Sequence, residues 1–186
     1  MWSPVERTAL AEAEVEYFVR KVPVIWVKFP VSESRIGTTN VANMLPEQLA
    51  DLEDEFNQVQ NAYIVIWTTT PWTIPANQAV SFNTSIEYNL YEVEDVASEE
   101  ELGFAPYANI GERFVLARAQ AESVFDAAKV KSYKVVRAIS AETLNDLYLV
   151  NPLRTVSDFR GLPIPMLAAD HVNNDAGHWF VDAAAA

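Results

Sequence analysis

The chain has 186 residues, half of them hydrophobic, which suits one domain of ordinary size with a sizeable core. It carries no cysteine and two histidines, which excludes disulfides, thiolate metal sites and cysteine nucleophiles and leaves too few ligands for a His-rich zinc site, so no metal or cofactor is expected. A formal net charge of −13 repels phosphate backbones at long range, which argues against a free-standing nucleic-acid binder but not against a domain presented with its RNA by a more basic parent.

The opening residues Met1-Trp2-Ser3-Pro4-Val5-Glu6-Arg7 lack the basic start and apolar run of a signal peptide. No apolar stretch approaches the ~20 residues needed to span a bilayer, so a cytoplasmic setting without a membrane partner is expected. Residues 8–17 suit a helix by propensity, while the alternation of Val15 and Tyr17 with Glu14 and Glu16 suits an entering strand. Residues 24–29 predict a strand ended by Pro30. Ser, Gly, Thr and Asn cluster over residues 32–44, and a helix is predicted from Pro46, a good first-turn residue. Leu45, Leu49, Leu52 and Phe56 fall at helical spacing, with Asp51, Glu53, Asp54 and Glu55 expected to face water. Residues 32–60 read as a peripheral insertion carrying one helix.

Tyr63-Ile64-Val65-Ile66-Trp67 is a continuous apolar run of strand length, expected to be buried on both faces. It leads directly into Thr68-Thr69-Thr70-Pro71-Trp72-Thr73-Ile74-Pro75-Ala76-Asn77. Two prolines four apart argue against regular strand or helix there and predict a stiff, extended turn projecting from a central strand. Strands are predicted over residues 79–82, 88–93, 113–117, 134–139, 148–150 and 164–167. Helical segments are predicted over 119–128 and 141–146. Many short strands with few helices predict an α+β domain centred on a barrel, one domain over residues 1–186.

None of the five glycines is spaced as a phosphate loop or dinucleotide fingerprint, and there is no nucleophile elbow. Asp170 and His171 are adjacent, so on a strand they point to opposite faces and read as a surface pair. Three threonines at a strand end are, by composition alone, simply good strand formers. Their order relative to the prolines says more. A rigid Pro-Trp-Thr-Ile-Pro turn after a buried strand fixes hydroxyls and backbone amides in a defined place, an array suited to ester and ribose oxygens and to positioning a water.

The peptide from Trp67 to Asn77 resembles the Thr-rich peptide of the isoleucyl-tRNA synthetase editing domain. Pro71-Trp72 looks like the isoleucyl type, since the valyl and leucyl relatives usually carry Arg and an acidic residue at those two positions. Residues 8–17 resemble the segment where the chain enters that inserted domain. Asp170-His171-Val172, followed by Asp175-Ala176-Gly177, resembles the approach to the second half of the editing pocket. The three matches lie in the expected order and span nearly the whole chain.

The resemblance implies a hydrolase for mischarged valyl-tRNA, with the aminoacylated 3′ end of tRNA and its valine moiety as partners. Thr68, Thr69 and Thr70 would contact the aminoacyl ester and terminal ribose. Trp67 would help to form the pocket wall, Thr73 would help to exclude a larger side chain, and Asn77 would hold the shape of the peptide. Water would be the nucleophile. After Gly177 the chain departs from the family, which continues Thr-Gly-x-Val-His-Thr-Ala-Pro. Here the order is His178-Trp179-Phe180-Val181-Asp182, then four alanines. Asp182 stands where the family has a size-gating His, and the family's Asp that anchors the substrate's amino group has no counterpart. A C-terminus truncated or altered after about residue 177, with weak activity of the isolated chain, is therefore expected. The alternative reading is a non-catalytic tRNA-binding or interaction module that keeps the fold.

Overall fold

The computed structural model describes residues 2–3, 6–9, 19, 21, 24–32, 44–154, 163–170, 172 and 180–184. Two short strands, β1 (Trp2–Ser3) and β2 (Thr8–Ala9), pair antiparallel at the start. The remaining expectations for residues 10–18 lie outside the described residues.

The apolar run forms β4 (Tyr63–Thr68), and its neighbours explain its composition. It pairs antiparallel with β3 (Ile25–Pro30) and parallel with β7 (Arg113–Ala117). With β6 (Tyr88–Val96) and β8 (Val130–Ile139) these make a five-stranded sheet ordered β3-β4-β7-β6-β8. Ile64, Val65 and Ile66 are buried, so both faces of the strand are covered, as its unbroken apolar run requires.

A second sheet is ordered β11-β5-β10-β9, from β5 (Asn77–Phe82), β9 (Tyr148–Leu149), β10 (Ile164–Ala168) and β11 (Val181–Ala184). The two sheets join where Val31, just past β3, bridges Leu149 of β9. Ser32 N–H donates to Tyr148 C=O at 2.7 Å and Val150 N–H donates to Pro30 C=O at 2.8 Å. The strands therefore curve from one sheet into the other, but no closed barrel forms among the described residues. The expected α+β class holds, and the barrel is an open one. At the far edge β8 pairs only with β6 among the described residues, and β11 pairs with β5. Tyr133 stacks on Phe125 of α3 (Ala121–Ala128) with ring centroids 4.1 Å apart, and Arg137 reaches Asp51 and Asp54 of α1 (Pro46–Val59).

Alternation along β6 serves two aromatic clusters. Tyr88 meets Phe82 and Phe180 on one side, while Tyr91 meets Phe125 and Tyr133 on the other. Burial pushes the Tyr88 hydroxyl up to about 12, against the smaller effect of the Asn83 N–H that it accepts. On the outer surface, hydrogen bonds from Lys134 and then Arg113 hold the Glu92 carboxyl below its usual range, tying β8 and β7 to β6.

Helix α1 starts at Pro46, as its sequence predicts, and buries Leu52, Phe56 and Val59. Leu45, at the N-cap, is exposed although its spacing put it on the apolar face, and Glu55 is buried, not solvent-facing. Its carboxylate accepts the backbone N–H of Ser140, and its other oxygen accepts the Ser140 hydroxyl at 3.1 Å. Ser140 in turn accepts Thr143 N–H and caps α4 (Ala141–Asp146). Glu55 is thus the acceptor that satisfies a helix start from another element. A further departure is α2 (Glu99–Leu102), where Ser98 and Glu101 form a capping box and Gly103 ends the helix at φ 76°.

Replacing Glu55 by Leu keeps the bulk but leaves the Ser140 N–H buried without its acceptor. Urea unfolding should show a loss of about 1–3 kcal/mol, and an unchanged midpoint would contradict the capping role.

Candidate functional site

The Thr-rich peptide joins the interior strand β4 of one sheet to the interior strand β5 of the other. The link is a 3-10 helix over Pro71–Ala76, in place of the extended turn that the two prolines predict. The backbone bonds explain how it tolerates both rings. Thr73 N–H donates to Thr70 C=O at 3.0 Å, and Asn77 N–H donates to Ile74 C=O. Neither bond needs a proline nitrogen. Pro71 stands in the first turn, where a missing N–H costs nothing.

The hydroxyls cluster on this frame. Thr68 is buried, while Thr69, Thr70 and Thr73 are half-buried. Thr68 Oγ1 accepts the backbone N–H of Thr70 at 3.0 Å and lies 3.2 Å from Thr70 Oγ1. Thr70 Oγ1 lies 3.5 Å from Thr73 Oγ1, whose own proton goes to Thr70 C=O at 2.7 Å. Oxygen lone pairs therefore line the array, and rotation of the Thr68 and Thr70 hydroxyls decides whether a proton is offered outward. Such a cluster can hold polar oxygens of a ligand without carrying charge.

Asn77 follows directly and is buried. Its amide donates to Ala79 C=O at 3.1 Å, and its Oδ1 is a buried acceptor with no partner among the described residues. Trp67 is half-buried, facing Trp26 across the β3–β4 register. Trp72 is 70% exposed, so core packing does not account for it. Ile74 is the anchor of the turn, 3% exposed.

A residue that sequence reading missed holds the turn from outside. Asn151, just beyond β9, is 2% exposed and donates from Nδ2 to Ile74 C=O at 2.8 Å. The Asn-Pro pair at 151–152 signals a turn, but nothing in the sequence tells which distant carbonyl the amide will meet. β11 lies against both the 3-10 turn and β4, and it pairs with β5 so that Asp182 stands opposite Val80 and Ala184 opposite Asn77. Asp175, His171 and His178 lie outside the described residues.

A separate cavity of about 520 Å³ opens between β3 and α3, lined by Trp26, Lys28, Val65, Phe114, Val124 and Phe125 among others. None of the four threonines lines it, and its wall is mostly apolar. The hydroxyl array is accordingly the better chemical site.

No family model matches the chain. It is 46% identical to the isoleucine–tRNA ligase of Caulobacter vibrioides over 187 residues, covering 99% of this chain and 16% of that protein. It is 44% identical to the isoleucine–tRNA ligase of Mesorhizobium japonicum, covering 99% of this chain and 18% of the relative. Over nearly its whole length the chain matches a segment of isoleucyl-tRNA synthetases. It spans less than a fifth of the length of these relatives. Among solved structures, the cytosolic leucyl-tRNA synthetase editing domain of P. falciparum aligns at a TM-score of 0.54 and 14% identity, covering 86% of this chain and 60% of that one. The P. knowlesi counterpart aligns at 0.54 and 12% identity, covering 90% and 61%. These alignments show that the chain shares the fold of those domains.

The turn divides into an anchor and a presented surface, which mutation can separate. Ile74→Ala should cost about 2–5 kcal/mol of unfolding free energy. Trp72→Ala should stay within about 0.5 kcal/mol of the parent chain. Comparable losses in both, by urea titration, would show that Trp72 is packed.

Proposed function

We propose that this chain supplies the hydrolytic proofreading site of an isoleucine–tRNA ligase, cleaving valine from mischarged isoleucine tRNA. The observation that carries the reading is the linked hydroxyl array of Thr68, Thr70 and Thr73, held on a proline-braced turn between two interior strands. Thr68, Thr69 and Thr70 contact the ester and the terminal ribose of the tRNA 3′ end. Thr73 and Trp67 bound the space for the amino-acid side chain, and Asn77 holds the base of the peptide. Water attacks the ester carbonyl, and no acyl-enzyme forms.

Energetics supply the need for such a site. One methylene in an apolar pocket is worth about 1–3 kcal/mol, a limit for which isoleucine against valine is itself the reference case. A second site that admits valine and excludes isoleucine by size adds the missing discrimination.

The test uses a full-length isoleucine–tRNA ligase carrying residues 1–177 of this chain in place of its own. Thr69→Ala with Thr70→Ala in that protein should release mischarged valyl-tRNA while isoleucine charging stays near the parent rate. Unchanged editing would remove these hydroxyls from the mechanism.

A second reading, a non-catalytic tRNA-binding or interaction module, is favoured by one observation: the order after Gly177, where Asp182 stands in place of the family's gating His. A smaller side chain there widens the pocket, so valyl-tRNA hydrolysis by the chain as written should discriminate weakly against isoleucyl-tRNA, and restoring His at that position should recover the selectivity. Full, valine-selective single-turnover hydrolysis by the unrestored chain would contradict this.

A further inference from the structure

Asn151 is separated from Ile74 by 77 residues, yet its amide nitrogen sits 2.8 Å from the Ile74 carbonyl. Both ends of that amide are assigned. Oδ1 accepts the backbone N–H of Leu153 at 2.9 Å, so a flipped amide would set oxygen against oxygen and N–H against N–H. The backbone carbonyl of Asn151 accepts Arg154 N–H at 3.0 Å, which closes the turn that carries it. The residue is 2% exposed, and it follows the β9 segment that welds the two sheets at Val31 and Leu149.

The carbonyl that it meets is the one that closes the 3-10 turn. Ile74 C=O takes the Asn77 N–H from within the peptide and the Asn151 amide from outside it. Asn151 is thus a side chain from beyond the Thr peptide that fixes this carbonyl to the sheet junction.

We propose that Asn151 is a positioning residue for the hydrolytic site: it locks the turn so that the Thr70 and Thr73 hydroxyls keep one geometry. The proposal rests on the reading of the Thr peptide as that site. Asn151 touches no reacting atom and acts through the Ile74 carbonyl. Because the clamp is a donor hydrogen bond, a carboxyl of the same shape can replace the amide only when protonated. Ionised, it sets a negative oxygen against the Ile74 carbonyl. Protonated, it donates to Ile74 C=O with one oxygen and accepts Leu153 N–H with the other. Burial raises the pKa of such a carboxyl, which brings the switch toward the working range.

The experiment measures deacylation of valyl-tRNA by the full-length ligase carrying residues 1–177, with Asn151→Asp, Asn151→Ala and the Thr69→Ala, Thr70→Ala pair run together. At pH 7.5, Asn151→Asp should lose deacylation by about tenfold or more, since small misplacements of a positioned site are costly, with isoleucine charging unchanged. The ratio of its rate to the parent's should climb as pH falls and the carboxyl takes up its proton. Asn151→Ala, which has no titratable group, should show a loss whose ratio to the parent does not change with pH. Deacylation within twofold of the parent in both Asn151 variants, beside an inactive threonine pair, overturns this inference alone. A loss in Asn151→Asp that does not recover at low pH also overturns it. Full deacylation by the threonine pair overturns the reading of the site, and this inference with it.

Discussion

Two backbone carbonyls, those of Thr70 and Ile74, carry the constraint on which the site depends. A segment with prolines at 71 and 75 has lost two of its backbone donors. It can be rigid only if the carbonyls that remain are met by N–H groups placed elsewhere. Thr70 C=O is met by the amide and hydroxyl of Thr73, and Ile74 C=O by Asn77 and Asn151. Prolines limit the conformations open to the unfolded turn, and the four donors select one of them. In this winding Thr68 Oγ1 and Thr73 Oγ1 each come within 3.5 Å of Thr70 Oγ1.

The larger fold puts this turn under control from both sides. β4 and β5 are interior strands, so neither end of the turn can shift without disturbing two neighbours. The open, curved pair of sheets leaves the turn at their junction, and β11 runs beside it. Ile74 fixes the inner side of the turn, and Trp72 stands on the outer side with most of its surface free.

What the sequence made legible was mostly periodic or punctuated. The unbroken apolar run of β4, the proline at the head of α1 and the apolar face of α3 each state a local rule that the fold obeys. The Thr-Thr-Thr-Pro-Trp order located the candidate site. The misses are where a distant partner decides. Glu55 belongs by spacing to a polar face, yet it is buried because the start of α4 needs an acceptor. The two prolines suggested an extended turn, and the 3-10 form prevails because its hydrogen bonds bypass both rings. The open edge at β8 depends on where β11 pairs, and Asn151 depends on a carbonyl 77 residues away. The capping box at Ser98 and Glu101 is the exception, a local signal that was present and went unused.

Placing a ligand in the site is the most direct test of the central claim, that the proline-braced hydroxyl array receives the aminoacyl ester. The measurement is a crystal structure of the full-length ligase carrying residues 1–177, bound to a non-hydrolysable amide analogue of valyl-adenosine. The account predicts the analogue's carbonyl or ribose oxygens within hydrogen-bonding distance, about 3 Å, of the Thr68 to Thr70 segment, with the valine side chain directed toward Trp67 and Thr73. An analogue seated in the apolar cavity between β3 and α3, or making no contact with the threonines, would contradict it.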